Sequence, residues 1–267
     1  VQLPPYGSEW DGAQVQSVFD HLTPLASRAV VRLRAQPNAY LVGPELTPPR
    51  GAGGAGGNDD GAHRIMLTMS YRLPQQLCSF ISTALYAGLL NSGRVPGDLR
   101  SARPAIRWVD VRGKEENTGT SSFRNPQEAK EVVRLVTSEL RSSSWTVITG
   151  YDLQRTLVEK QLNILLGRGG TKAGRAAAPD HRTGGDRVYN IDTFQGREDE
   201  VVIASLVRSG TSLGFMKDDR RVNVMLTRCT HQLVIVGSLA LALANPHTLI
   251  GRMAQHCMEM GLVEPRT

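Results

Sequence analysis

The sequence predicts an α/β domain: a mostly parallel sheet with helices on both faces. Four short apolar runs carry that prediction, IRWVDVRG (106–113), WTVITG (145–150), VVIASLVR (201–208) and QLVIVGS (232–238). They are of strand length and nearly continuous in hydrophobicity, the pattern of strands buried on both faces rather than on one. Stretches of helical period separate them, so strand and helix alternate as a parallel sheet requires. With aromatics at 5% of 267 residues, the core must be built from Val, Leu, Ile and Ala.

Taken in order, the helix after the first run is the best marked. PQEAKEVVRLVTSELR (126–141) places Val132, Val133, Leu135, Val136 and Leu140 on one face. Asn125 suits its N-cap, Pro126 its first turn, and Glu128 the acidic position of a capping box. DLQRTLVEKQLNILL follows WTVITG directly as a second helix. In parallel sheets ligands gather at the carboxyl ends of strands, where loops lead into helix N-termini. The Gln-Gly-Arg-Glu corner at 195–198 and the Leu-Thr-Arg at 226–228 are therefore expected at that edge.

Two segments read as loops: 47–62, TPPRGAGGAGGNDDGA, and 167–187, which is Gly-rich and holds five Lys and Arg. Neither can bury enough apolar surface to order itself. They divide the chain into 1–46, the loop 47–62, a main domain 63–245 with a basic insertion at 167–187, and a terminal helix or tail 246–267.

Lys and Arg outnumber Asp and Glu by 31 to 25, and the isoelectric point near 9.5 suits a polyanionic partner. Three scattered cysteines, Cys78, Cys229 and Cys257, form no disulfide or zinc pattern, so a reducing compartment, nuclear or cytoplasmic, is expected. The longest apolar run, 233–244, is shorter than the roughly 20 residues of a membrane span. No membrane partner and no protein metal site are expected. The chain opens on Val rather than Met and reads as a piece of something longer.

Five strings in fixed order carry a resemblance: QLPP (2–5), SYRLP (70–74), WTVITGYDLQ (145–154), IDTFQGREDEVVI (191–203) and GFMKDDRRVNVMLTR (214–228), the last followed by LVIVG. Together they resemble the ordered motifs of superfamily 1 helicases, in the branch of the nonsense-mediated-decay helicase and senataxin. What they resemble is the second RecA-like domain, with 1–46 as the end of the first. The resemblance implies a RecA-like P-loop NTPase fold and ATP with Mg2+ as cofactors. Its partners would be single-stranded RNA or DNA and the first RecA-like domain of the same polypeptide.

It also implies roles. Arg72 and Arg228 would be arginine fingers on the terminal phosphate, where a planar, permanently charged fork is suited to phosphate oxygens. Gln2 would couple that site to nucleic acid. Tyr71 offers a face for the base, or else packs in the core beside Leu73 and Pro74. Gly196 would allow close backbone approach and Glu198 would accept from ribose hydroxyls. Thr149 and Thr193, near strand ends, would hold nucleic-acid phosphates, or simply cap their strands.

The chain departs from the pattern at Gly150, where proline is typical, at Cys229–Thr230, where a small and then a basic residue are common, and in lacking Met-His after Arg72. No GxxxxGK[ST] occurs, and no strand ending in paired acids precedes QLPP. By itself the chain is therefore expected to supply half of an ATPase site and to be inactive. The alternative is a non-catalytic nucleic-acid-binding or scaffold module descended from such a motor.

Overall fold

The computed structural model describes residues 68–94, 103–165, 187–194 and 196–266. Gln2, the segments 1–46 and 47–62, and the basic insertion apart from Arg187 lie outside the described residues.

In chain order the elements are β1 (Met69–Ser70), α1 (Gln75–Leu85), β2 (Asn91–Ser92), β3 (Ile106–Val111), β4 (Glu116–Asn117), β5 (Phe123–Arg124) and α2 (Pro126–Arg134). There follow β6 (Trp145–Thr149), α3 (Asp152–Leu165), β7 (Val188–Asn190), β8 (Asp199–Ser205), α4 (Asp219–Leu226), β9 (Cys229–Gly237), α5 (Leu239–Leu243), α6 (Leu249–Glu259) and β10 (Val263–Arg266). Six strands form one sheet in the order β10-β3-β9-β8-β6-β7, and every neighbouring pair is parallel. The parallel α/β sheet expected from the apolar runs is the one observed.

Residue alternation along the strands divides the interior into two cores. Val202 and Ala204 of β8 meet Leu77 and Ile81 of α1, Met225 of α4 and Met253 of α6 in one core. Val201 and Ile203 join Val132 of α2 and Val158 of α3 in the other. Because both faces are covered, no polar side can appear in these strands, which explains their continuous hydrophobicity.

The terminal segment does more than trail off. Helix α6 buries Leu249, Ile250, Met253, Ala254 and Cys257, and β10 adds a sixth strand, with Val263 paired to Trp108. Nothing in VEPR announces a strand. Its pairing is fixed by Arg107, whose guanidinium donates to both Glu264 carboxylate oxygens at 2.8 and 2.7 Å. All three cysteines are buried and free. No helix among the described residues is long and apolar enough to cross a membrane.

The first helix of the second core differs from its predicted form in two ways. It is α-helical only through Arg134, and residues 135–139 form a wider π turn closed by Leu140 N–H on the Leu135 carbonyl at 3.1 Å. Thr137 and Ser138 return their hydroxyls to the carbonyls of Val133 and Arg134 at 2.8 and 2.6 Å, which competes with the regular helical ladder. The expected capping box is also only half made. Asn125 Oδ1 accepts from Glu128 N–H at 3.2 Å, but the Asn125 N–H donates to Gln154 Oε1 at 2.8 Å, not to Glu128.

Glu128 turns inward instead. It is fully buried, and its Oε2 accepts from Ser205 Oγ at 2.9 Å and from Val207 N–H at 2.8 Å. Burial drives the carboxyl up to about 8, with those two hydrogen bonds pulling the other way. Folding therefore takes up a proton between the usual carboxylate value of 4.5 and about 8. That contribution is complete below the lower value and is lost as the pH rises through the upper one. Denaturant titrations should show stability falling from pH 5 to pH 8, Glu128→Gln should flatten that slope, and Glu128→Ala should cost about 2–4 kcal/mol at pH 5 and less at pH 8.

Candidate functional site

A sheet whose strands all run one way has two unlike edges. Asp199 pairs with Cys229 where β8 and β9 begin, whereas Thr149, Ser205, Val236 and Asn190 stand level where their strands end. Glu198 immediately precedes β8 and Arg228 immediately precedes β9, so both lie at the amino edge. The carboxyl-edge expectation for the Gln-Gly-Arg-Glu corner and for Leu-Thr-Arg is overturned. Each lies between two elements, and the chain has already crossed back: residues 191–198 return it from the end of β7, and α4 returns it from the turn at Gly214–Lys217.

At this amino edge the structure brings together Arg72, Arg228 and Glu198. Arg72 Nε lies 2.5 Å from Glu198 Oε2, an ion pair across 126 residues of chain, with both side chains well exposed. Arg228 Nε donates to the Val224 carbonyl one turn back, at 3.0 Å. Burial lowers the proton affinity of Arg228, the nearby charge of Arg72 lowers it further, and Glu198 opposes both. Two guanidinium groups that feel each other's charge, with one carboxylate near both, form a site that an anion would relieve. Arg94 braces the loop by donating from Nη1 to the Arg72 carbonyl at 3.3 Å, and its Nη2 approaches His231 Nε2 at 3.5 Å.

Tyr71 is 73% exposed, so of its two readings the core one is excluded. Its ring lies against the backbone of Gly93, where a Cβ would come within 2.5 Å of Cε1. The short β1–β2 ladder, Met69 to Asn91 and Ser70 to Ser92, holds the two together. Gly196 has φ of +85°, a left-handed conformation that favours glycine, and open space where a side chain would begin.

Thr149 and Thr193 belong to the opposite edge. Thr149 is fully buried and its hydroxyl has no hydrogen-bond partner. Thr193 is exposed, and its hydroxyl donates to the Asn190 carbonyl at 2.8 Å. Sequence reasoning missed what stands beside them. After β8 the chain makes a tight turn in which Arg208 N–H reaches the Leu206 carbonyl at 2.8 Å, and Val207 between them has φ of +72°. A β-branched residue in that region is strained by about 1–3 kcal/mol. Buried Glu128 takes the Val207 N–H, and Asn125 Nδ2 donates to its carbonyl at 3.2 Å.

The turn aims Arg208 at Glu115. Its Nε donates to Oε2 at 2.9 Å, and the same oxygen accepts from Ser209 and Gly210 N–H at 2.7 and 3.1 Å. Burial alone would raise the Glu115 carboxyl, but these donors outweigh it and hold it below the usual range. The one signal in the sequence is Gly150: a Cβ there would stand 2.1 Å from the Phe215 ring, so Phe215 holds this position only beside a glycine.

Residues 58–240 match the AAA domain family. The chain belongs to that family. Over 194 residues, 67% of this chain, the AAA domain is 31% identical to a regulator of nonsense transcripts 1 homolog from Arabidopsis thaliana. Over 197 residues, 68% of this chain, it is 28% identical to the probable helicase senataxin of Homo sapiens. It spans only 15% of the first relative and 7% of the second. These relatives put the AAA domain among superfamily 1 helicases, in the nonsense-mediated-decay helicase and senataxin-like branch. Among solved structures, the C-terminal domain of a possible DNA helicase from Lactobacillus plantarum aligns at 18% identity and a TM-score of 0.41, covering 74% of this chain and 99% of that one.

The Arg72–Glu198 pair tests whether this edge is structural. Both side chains are exposed, so Glu198→Gln should change thermal stability by less than about 1 kcal/mol. A larger loss in calorimetry would make the pair part of the scaffold and not a resting place for Arg72.

Proposed function

We propose that this AAA domain is the second motor domain of an ATP-dependent helicase acting on RNA or DNA. The observation that carries the reading is the meeting of Arg72 and Arg228 at the amino edge, two cations from distant parts of the chain. The first RecA-like domain of the same polypeptide would present ATP to that edge. Arg72 would leave Glu198 for the terminal phosphate, and Arg228 would stabilise the charge that develops there during transfer. Tyr71, exposed and backed by Gly93, is suited to stacking on the base. Glu198, released from Arg72, would be able to accept from ribose hydroxyls through the approach that Gly196 leaves open. Gln2 keeps its proposed coupling role.

Among the described residues no cluster of His, Cys, Asp and Glu can hold a metal ion. As the resemblance implies, Mg2+ and the phosphates of ATP would be held mainly by the first domain, whose phosphate loop and paired acids would supply that chemistry. The single strand would cross the carboxyl edge, where Thr193 is exposed and where the chain beyond Thr149 offers backbone groups. Separating the two ligands by the full length of the sheet lets one rigid domain answer to ATP on one side and move nucleic acid on the other.

In the parent polypeptide, Arg228→Ala should cut strand-stimulated ATP turnover by about a hundredfold or more. The affinity for ATP should change only a few-fold, because removing a group that acts in the transition state lowers kcat and not ground-state binding. Steady-state ATPase assays with single-stranded RNA and DNA check both values. Turnover retained in the variant would remove the role given to Arg228.

A further inference from the structure

A pocket of 360 Å³ opens at the carboxyl edge beside the start of α3, within the size range of small-ligand sites. Ser122, Phe123, Gly150, Tyr151, Arg208 and Phe215 line it, and Asp152 stands at its rim. We propose that this pocket takes one unpaired base of the single strand, so that the domain grips the strand by stacking as well as by its backbone. The inference rests on the reading of this edge as the nucleic-acid side.

Three aromatic rings fix its geometry. Tyr151 meets Phe123 and Phe215 edge-on, at centroid distances of 5.6 and 5.3 Å and interplanar angles of 77° and 80°. Phe123 and Phe215 are only half buried, so each keeps surface for a partner. The Arg208 guanidinium lies 4.0 Å from the centre of the Phe123 ring and is clamped by Glu115. Flat rings and a flat cation held in place are the surfaces on which bases of single strands stack.

The charges favour a base over a phosphate. Glu115 already neutralises Arg208, which leaves little net positive charge for a phosphate, and the exposed Asp152 carboxylate, paired with Arg155 at 3.5 Å, keeps an oxygen able to accept from an exocyclic amino group. Ser122 Oγ accepts from Leu153 N–H at 3.0 Å, which leaves the hydroxyl proton for an acceptor. The strain at Val207 also finds a purpose here, since that turn is what sends Arg208 across Phe123. Finally, the pocket depends on Gly150. Any side chain there, the family's usual proline included, would collide with Phe215.

The test is equilibrium binding of fluorescently labelled 12-mers by the full-length polypeptide, with a single abasic site walked along the oligonucleotide. One abasic position should weaken binding about tenfold. In the Phe123→Leu, Phe215→Leu double variant that penalty should vanish while the salt dependence of binding stays the same. A 2-aminopurine at the sensitive position should be quenched on binding to the unmodified protein, a readout independent of how the variant folds. If every abasic 12-mer binds as tightly as the intact one and no quenching occurs, the pocket holds no base. Strand-stimulated ATPase would then still support the motor reading, whereas loss of all single-strand binding would remove both.

Discussion

One buried carboxyl group sets the shape of the carboxyl edge. Glu128 sits at the start of α2, yet its oxygens serve β8: one of them takes both the Ser205 hydroxyl and the Val207 amide. Asn125 holds the other side of the same turn through the Val207 carbonyl, and Gln154 of α3 closes the cluster by donating to Ser205 Oγ at 3.0 Å. Three segments are thus tied at a point where the backbone is strained. Each hydrogen bond contributes about 0.5–1.5 kcal/mol and the strain costs about 1–3, so the cluster taken together offsets the strain. Neutral Glu128 suits such a place, because an ionised carboxylate in a dry interior with no cation beside it would be far more costly.

From that knot the consequences run along the strands. Strand β8 carries Glu198 immediately before it and Arg208 shortly after it, and β9 carries Arg228 before it and Gly237 at its end. Gly237 lets Leu206 pack closely, since a Cβ there would come within 2.7 Å of that side chain. Glu198 and Arg228 at one edge and Arg208 at the other are therefore mounted on opposite ends of the same two central strands. Such strands, buried on both faces, have no second arrangement to switch into. In the proposed motor they would turn as one rigid body, and coupling between the edges would lie in the movement of this domain against its neighbour.

Much of this architecture is written in local pattern, and the rest is not. The central strands were legible because burial on both faces leaves an unbroken apolar run such as VVIAS. Strand β10 was not, because its place is held by Arg107, which lies 157 residues away. The arginines of the amino edge were legible only as members of ordered motifs; nothing local distinguishes Arg72 or Arg228 from other arginines. Which edge they occupy depends on whether the chain crosses back before or after them, and a corner between two strands does not carry that information. Arg208 and Glu115 escaped notice for the same reason as β10, being 93 residues apart. Gly150 was visible as a departure, but its reason, the Phe215 ring, lies 65 positions further on.

The arginines themselves show how burial separates scaffold from working parts. Arg107 has a side chain only 7% exposed and makes paired contacts to Glu264 and another to Glu139 at 2.9 Å. Removing one partner would strand a buried charge, so this group is committed to joining β3, β10 and the π turn after α2. Arg72 has one carboxylate partner in an exposed setting, where an ion pair is worth about 0–1 kcal/mol. Arg228 has a backbone carbonyl for its Nε and a like charge nearby. Neither has much to lose by turning to an incoming phosphate, and Arg228 is already penalised for being buried and charged. On the proposed reading, a triphosphate arriving at this edge would meet cations whose present contacts compete weakly with it, which is the electrostatic requirement for groups that must act in one conformation and rest in another.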